Sequence, residues 1–156
     1  MHMQVLFRFA LSLLLSLFAV AASAQERGTA AEAKAMVEKA LAHIKAAGTD
    51  KAFKDFSENA ESKWRLKDLY VFAANDEGVM TAHGANKALV GKDMKEIKDA
   101  KGKAGILEMR DLSKASGTGW YDYEWTDPTT KKSAHKSTYV ARVPGWGGYI
   151  GVGIYK

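Results

Sequence analysis

Residues 29–48, TAAEAKAMVEKALAHIKAAG, carry apolar side chains at Ala33, Met36, Val37, Ala40, Leu41 and Ile44, the spacing of one helix face. From Leu69 onward the period drops to two. This single change of period constrains the fold more than any other feature, because it puts the long amphipathic helix before the strands rather than in alternation with them. Thr29 and Glu32 have the spacing of a capping box, and Gly48 is a natural stop, so the first helix runs about five turns. TDKAFKDFSEN reads as a short second helix with Thr49 as N-cap and Phe53 and Phe56 on one side. Two strands follow, Leu69 to Ala74 and Val79 to His83, with the turn residues Asn75-Asp76-Glu77-Gly78 between them. The polar, Gly-punctuated stretch 85–117 holds short helices, the better one from about Lys103 to Lys114. Strands Gly119 to Thr126 and Ser133 to Val143 come next, joined through Asp127-Pro128. Pro144-Gly145 turns the chain into a last strand ending at Tyr155.

Strands joined by turns this short must pair antiparallel. The expected fold class is α+β: a long N-terminal helix on one face of a five-stranded antiparallel sheet, with the short helices of the insert over the other. There are no cysteines, so stability has to come from an apolar core.

Residues 1–24 stand apart. An apolar run from Phe9 to Ala22 follows a weakly basic end and closes on Ala22-Ser23-Ala24, a small-x-small cleavage pattern. The run is short for a membrane span. The expectation is a signal peptide cleaved after Ala24, a periplasmic or secreted protein, and one domain over residues 25–156. The formal charge of +5 falls by one when Arg8 leaves with the leader. The basic residues are dispersed, and an exported chain is a poor nucleic-acid binder, so a modest attraction for small anions is what remains.

GWYDYEW, residues 119–125, alternates aromatics with acids. Tyr121, Tyr123 and Trp125 fall on one face, Trp120, Asp122 and Glu124 on the other. Either face mixes apolar bulk with hydrogen-bonding tips, the character of a small-molecule pocket wall. Gly151 and Gly153 would leave a hollow between Tyr149 and Tyr155. The competing reading is a solid core of rings.

Several segments occur in order: LYVF, DEG, AHGANKALVGKD, GTGWYDYEW-x-x-P, KSTYV and YIGVGIY. Together, from about Leu69 to Tyr155, they resemble the single Cache domain, type 2, a PAS-like extracytoplasmic sensor module of bacterial chemoreceptors and kinases. The resemblance implies a small organic ligand, often a short carboxylate, held between a curved sheet and the overlying loops. It assigns Tyr70 to the first strand, His83 to the loop over the pocket, and Trp120, Tyr123 and Trp125 to the walls. Lys136 and Tyr139 would hold an anionic head. A cation with neutral donors suits a carboxylate. In a regular strand Lys136 and Tyr139 point to opposite sides, and a bulge is needed to bring both to one ligand. Without the bulge, Lys136 is the less secure of the assigned residues.

No nucleophile elbow, metal-ligand spacing or phosphate loop is present in the sequence. His43 is expected to be solvated on the first helix. The functional expectation is a binding or sensor module for a small organic acid, without turnover and without a cofactor. No second apolar span follows the domain, so the expectation is a module that binds and buffers a ligand, docks on a membrane chemoreceptor or sensor kinase, or acts outside the family's known range. The alternative is a protein-interaction module of the same fold with a filled cavity.

Overall fold

The computed structural model describes residues 26–58 and 63–156. The expected leader, residues 1–24, lies outside the described residues. Helix α1 spans Ala30–Ala47 and α2 spans Thr49–Ser57. Strands β1 (Arg65–Leu66), β2 (Leu69–Asn75) and β3 (Met80–His83) follow. A 3-10 turn at Lys87–Leu89 and helix α3 (Gly105–Ser116) form the insert. Strands β4 (Thr118–Thr126), β5 (Ser133–Arg142) and β6 (Gly148–Tyr155) complete the chain.

The capping box at α1 is formed: Glu32 N–H donates to Thr29 Oγ1, and Thr29 N–H donates to the Glu32 carboxylate at 2.8 Å. The stripe read from the sequence is the buried one, with Ala33, Met36, Val37, Ala40 and Ile44 inside. His43 is a correction. It is not solvated but half-buried, with Nε2 2.8 Å from Asp55 and its ring 4.9 Å from that of Trp64.

All strand pairs are antiparallel, and the five long strands run in the order β3-β2-β6-β5-β4. The last strand in sequence is therefore the central one in space. The sixth strand, β1, is a two-residue ladder against Leu69 and Tyr70. It is too short to show a period and so left no trace in the sequence pattern.

One sheet face, with Leu69, Val71, Ala73, Ala141, Ile150 and Val152, packs on α1 and α2. The other face, with Tyr70, Phe72, Ala74, Val140, Tyr149 and Tyr155, meets Met94, Ile106 and Met109 from the insert. Strand β2 is buried on both faces, which is why LYVFAA reads as an unbroken apolar run rather than an alternating one.

The β2–β3 turn is clamped to β5. Arg142 donates bidentately to Asp76 at 2.6 and 2.7 Å, and Lys114 adds a contact at 3.3 Å. The Arg142 bonds hold the Asp76 carboxyl down at about 2. A depressed acid stabilises the fold above its ordinary range and loses that contribution as pH falls through the folded value. Asp76→Asn should therefore lower stability by roughly 1–2 kcal/mol at neutral pH. In urea titrations the gap from wild type should shrink as pH drops from about 4 to about 2.

Candidate functional site

The site grows from the regularity of β5. Its pairing with β4 runs unbroken from Thr118↔Ala141 to Thr126↔Ser133, with no bulge. Alternation therefore holds, and Lys136 and Tyr139 face opposite sides. Lys136 points to the insert side and is fully buried. Tyr139 points to the α1 side, where its ring sits 5.3 Å from that of Trp120, under the Lys34 ammonium. This corrects two assignments. Trp120 and Tyr139 belong to the helix-facing layer and do not line the cavity around Lys136, whereas Lys136, the residue a regular strand seemed to endanger, lies at its centre.

Five assigned residues come together. Tyr70, His83, Tyr123, Trp125 and Lys136, with Phe72, Met80 and Ile106, line one small cavity of about 10 Å³. That is room for about one water molecule. The hollow expected above Gly151 and Gly153 is occupied. A Cβ at Gly153 would overlap Lys136 Cε and Thr138 Oγ1, and one at Gly151 would come within 2.7 Å of the Phe72 ring. The two glycines are the space through which the lysine stem and the phenylalanine cross the central strand.

The Lys136 ammonium has three donors. Among the described residues its one hydrogen bond goes to Tyr70 Oη at 2.7 Å. Its positive charge also lies 4.2 Å from the Tyr70 ring centroid, 4.9 Å from that of Tyr155 and 5.8 Å from that of Phe72. Among the described residues no carboxylate pairs with it directly. Burial pulls its pKa down to about 7, only partly opposed by the fields of Asp68 and Asp127. Those two buried acids are held instead by Arg27, at 3.0 and 2.7 Å. At Asp127 burial works toward the neutral acid, but bonds from Arg27 and Thr129 outweigh it and keep the carboxyl well below its ordinary range.

The hydroxyls form a directed chain. Tyr155 Oη donates to the Thr126 carbonyl at 2.9 Å and lies 3.3 Å from Tyr70 Oη, which accepts from Lys136. The Tyr123 hydroxyl accepts from Thr138 Oγ1 at 3.3 Å, which leaves its own proton available. His83 Nδ1 accepts from the backbone N–H groups of Asn86 at 2.9 Å and Ala85 at 3.3 Å. The ring proton must then sit on Nε2. Burial, then the nearby Lys136 charge, push the His83 pKa down to about 3, so it stays a neutral donor. The cavity therefore offers one cation and neutral donors, with no anionic side chain in its wall among the described residues.

His83 and Trp125 also line an outer groove of about 560 Å³, with Ala85, Asn86, Leu89, Thr126, Pro128 and Lys131. The two residues separate the buried ammonium from this groove. Sequence reading missed Tyr155, Phe72 and the Arg27 clamp as parts of the site. Tyr155 had a usable signal, since it stands directly across from Lys136 in the β5–β6 ladder. The Arg27 clamp had none, because Asp68 and Asp127 lie 41 and 100 residues away in sequence.

The sequence matches the family described as Single Cache domain 2 over residues 5–156. The chain belongs to the single Cache domain 2 family. A sensor histidine kinase, MctS, from Rhizobium johnstonii is 29% identical over 89 residues, 57% of this chain and 19% of the kinase. The chain thus spans about a fifth of the length of that curated relative. A methyl-accepting chemotaxis protein from Vibrio parahaemolyticus is similar in structure, with TM-score 0.68 and 26% identity, over 80% of this chain and 86% of that one. A Cache chemosensory domain described for its carboxylic acid recognition is similar at TM-score 0.61 and 26% identity, over 78% of this chain and 84% of that one. The PAS-like Cache frame is thus the fold of this chain, with the cavity on the face of the sheet covered by the insert.

Proposed function

We propose that this Cache domain is an extracytoplasmic sensor module that holds a short organic carboxylate against Lys136, without chemical turnover. One observation carries the reading: a fully buried ammonium whose one hydrogen bond among the described residues is to a hydroxyl. A buried cation is costly unless something of opposite charge meets it. A carboxylate entering from the outer groove would take the two remaining Lys136 donors, with His83 Nε2–H and the Tyr123 hydroxyl as neutral partners. The carboxylic acid recognition described for a structural neighbour, and the kinase and chemoreceptor settings of the relatives, support the same reading. A membrane receptor or sensor kinase is the partner this implies.

The cavity volume of about 10 Å³ favours a second reading, a module with a filled interior that acts through a protein partner alone. Such a module gains nothing from a buried lysine, and the two readings part on ligand response. Thermal-shift screening of acetate, propionate and larger acids should reveal a stabilising member. Saturation at 100 times Kd is worth about 2.7 kcal/mol. Affinity should be flat from about pH 5 to 7 and then fall close to tenfold per pH unit, because a neutral Lys136 must take up a proton to bind an anion. His83 stays neutral over this range and does not contribute. A broad panel without any stabilising acid would overturn the carboxylate reading and leave the second.

A further inference from the structure

A lysine shielded from water, away from acidic partners and beside a hydroxyl is placed as an amine nucleophile as well as a cation. Among the described residues Lys136 meets each condition. It is fully buried, lies over two tyrosine rings and one phenylalanine ring, and contacts Tyr70 Oη at 2.7 Å. Its pKa, drawn down to about 7 by burial, leaves much of it as free amine at neutral pH. The other lysines with described interactions are paired with acids or lie at the surface; Lys51, Lys67, Lys95 and Lys101 all contact carboxylates.

We propose that Lys136 captures small 2-oxo carboxylates covalently, as a reversible imine at Nζ. The proposal rests on the carboxylate reading of the cavity, because the acid group is what draws the ligand in and orients its carbonyl. Lys136 first gives up one proton to water; the free amine's lone pair adds to the carbonyl carbon, the C=O π bond opens, and a proton shed by that nitrogen moves to the oxygen to give a neutral carbinolamine. Its hydroxyl takes back one proton from water and leaves as water while the C=N bond forms. The ammonium and the 2-oxo acid together become the iminium and one water, so charge is conserved and no oxidant or reductant is consumed. His83 Nε2–H stays with the carboxylate, and the Tyr123 hydroxyl is the neutral donor to the carbonyl oxygen. Tyr70, hydrogen-bonded to Nζ and linked through Tyr155 to the Thr126 carbonyl, holds the amine in place. The water produced leaves past Trp125 and His83 into the outer groove. The bond is reversible, which suits a module that reports a concentration.

The test is reductive trapping. The protein is incubated with glyoxylate and cyanoborohydride at neutral pH, and labelled lysines are located by peptide mass spectrometry. Labelling of Lys136 should outpace that of surface lysines such as Lys34 and Lys131 by at least about tenfold, as its larger free-amine fraction dictates. Acetate should slow labelling at Lys136 alone. Lys136→Arg removes the amine nucleophile, so the adduct at position 136 should be lost. If that variant does not fold, acetate protection of the wild-type protein serves in its place. Thermal stabilisation by acetate with no preference for Lys136 in labelling overturns the imine and leaves the carboxylate reading intact. Preferential labelling of Lys136 in a protein that no simple acid stabilises overturns the carboxylate reading and the 2-oxo acid proposal with it, leaving only a reactive amine.

Discussion

Lys136→Met should make the protein more stable and deaf to carboxylates at the same time. Methionine fills the same tunnel above Gly153 with an unbranched apolar side chain and removes a charge that burial disfavours. The downward pull on the Lys136 pKa, from 10.5 to about 7, corresponds to a penalty of roughly 5 kcal/mol on the charged form. Not all of it will be recovered, because Tyr70 loses its donor and the rings lose a cation contact. An increase of about 1–4 kcal/mol at pH 6 is expected from urea or thermal unfolding. The sign with pH follows from a lowered lysine pKa. The unfolded chain binds more protons than the folded one between about 7 and 10.5, so wild-type stability should climb across that window. In the variant that climb should disappear and the two curves should converge. Carboxylate affinity should drop by at least about 100-fold, the cost of removing one partner of a buried charge pair. A variant less stable than wild type at pH 6 and still responsive to acids would show that Lys136 is a structural residue.

Gly153→Ala should damage the site without replacing any ligand-facing group. The added methyl overlaps Lys136 Cε and Thr138 Oγ1, and no backbone atom stands among its three nearest neighbours. The lysine stem is the softer of the two, so it yields first, and its ammonium leaves the position 2.7 Å from Tyr70 Oη. Overpacking of this kind costs about 1–3 kcal/mol. Carboxylate affinity should fall by more than about tenfold, because a charge-assisted bond depends on placement. Calorimetry beside a denaturation curve separates the two effects. The double variant Gly153→Ala with Lys136→Ala empties the tunnel and relieves the crowding only if the lysine stem is its cause, so non-additive stability is the expected signature. Additive losses would place the strain elsewhere on β6.

The carboxylate reading and the imine share a lysine but not an outcome. An acid that binds without a carbonyl tests the first, and a trapped adduct at one nitrogen tests the second. Both require passage between Trp125 and His83, since the inner cavity of about 10 Å³ is smaller than any ligand either idea invokes. Such an opening is a conformational change selected by the ligand it admits, and it is paid for from differential affinity.

Much of this architecture was legible in the chain. The stripe of α1, its capping box, the hairpin turn at Asn75 to Gly78 and the three closing strands follow from local periodicity and turn chemistry, and local rules act wherever the chain goes. Alternation likewise separated Tyr123 and Trp125 from Trp120, and Lys136 from Tyr139. Which of those faces would hold the site was not legible, because both sheet faces are covered and both carry rings. Tertiary packing alone decided it. The insert, and not the long helix, lies over Lys136; β6 enters the middle of the sheet and sets its glycines beneath the lysine stem; and Arg27 reaches Asp68 and Asp127 across the fold and keeps them from pairing with that lysine. The reason is physical: periodicity tells a strand which residues share a side, whereas the burial and charge of a side depend on what the rest of the chain brings to it.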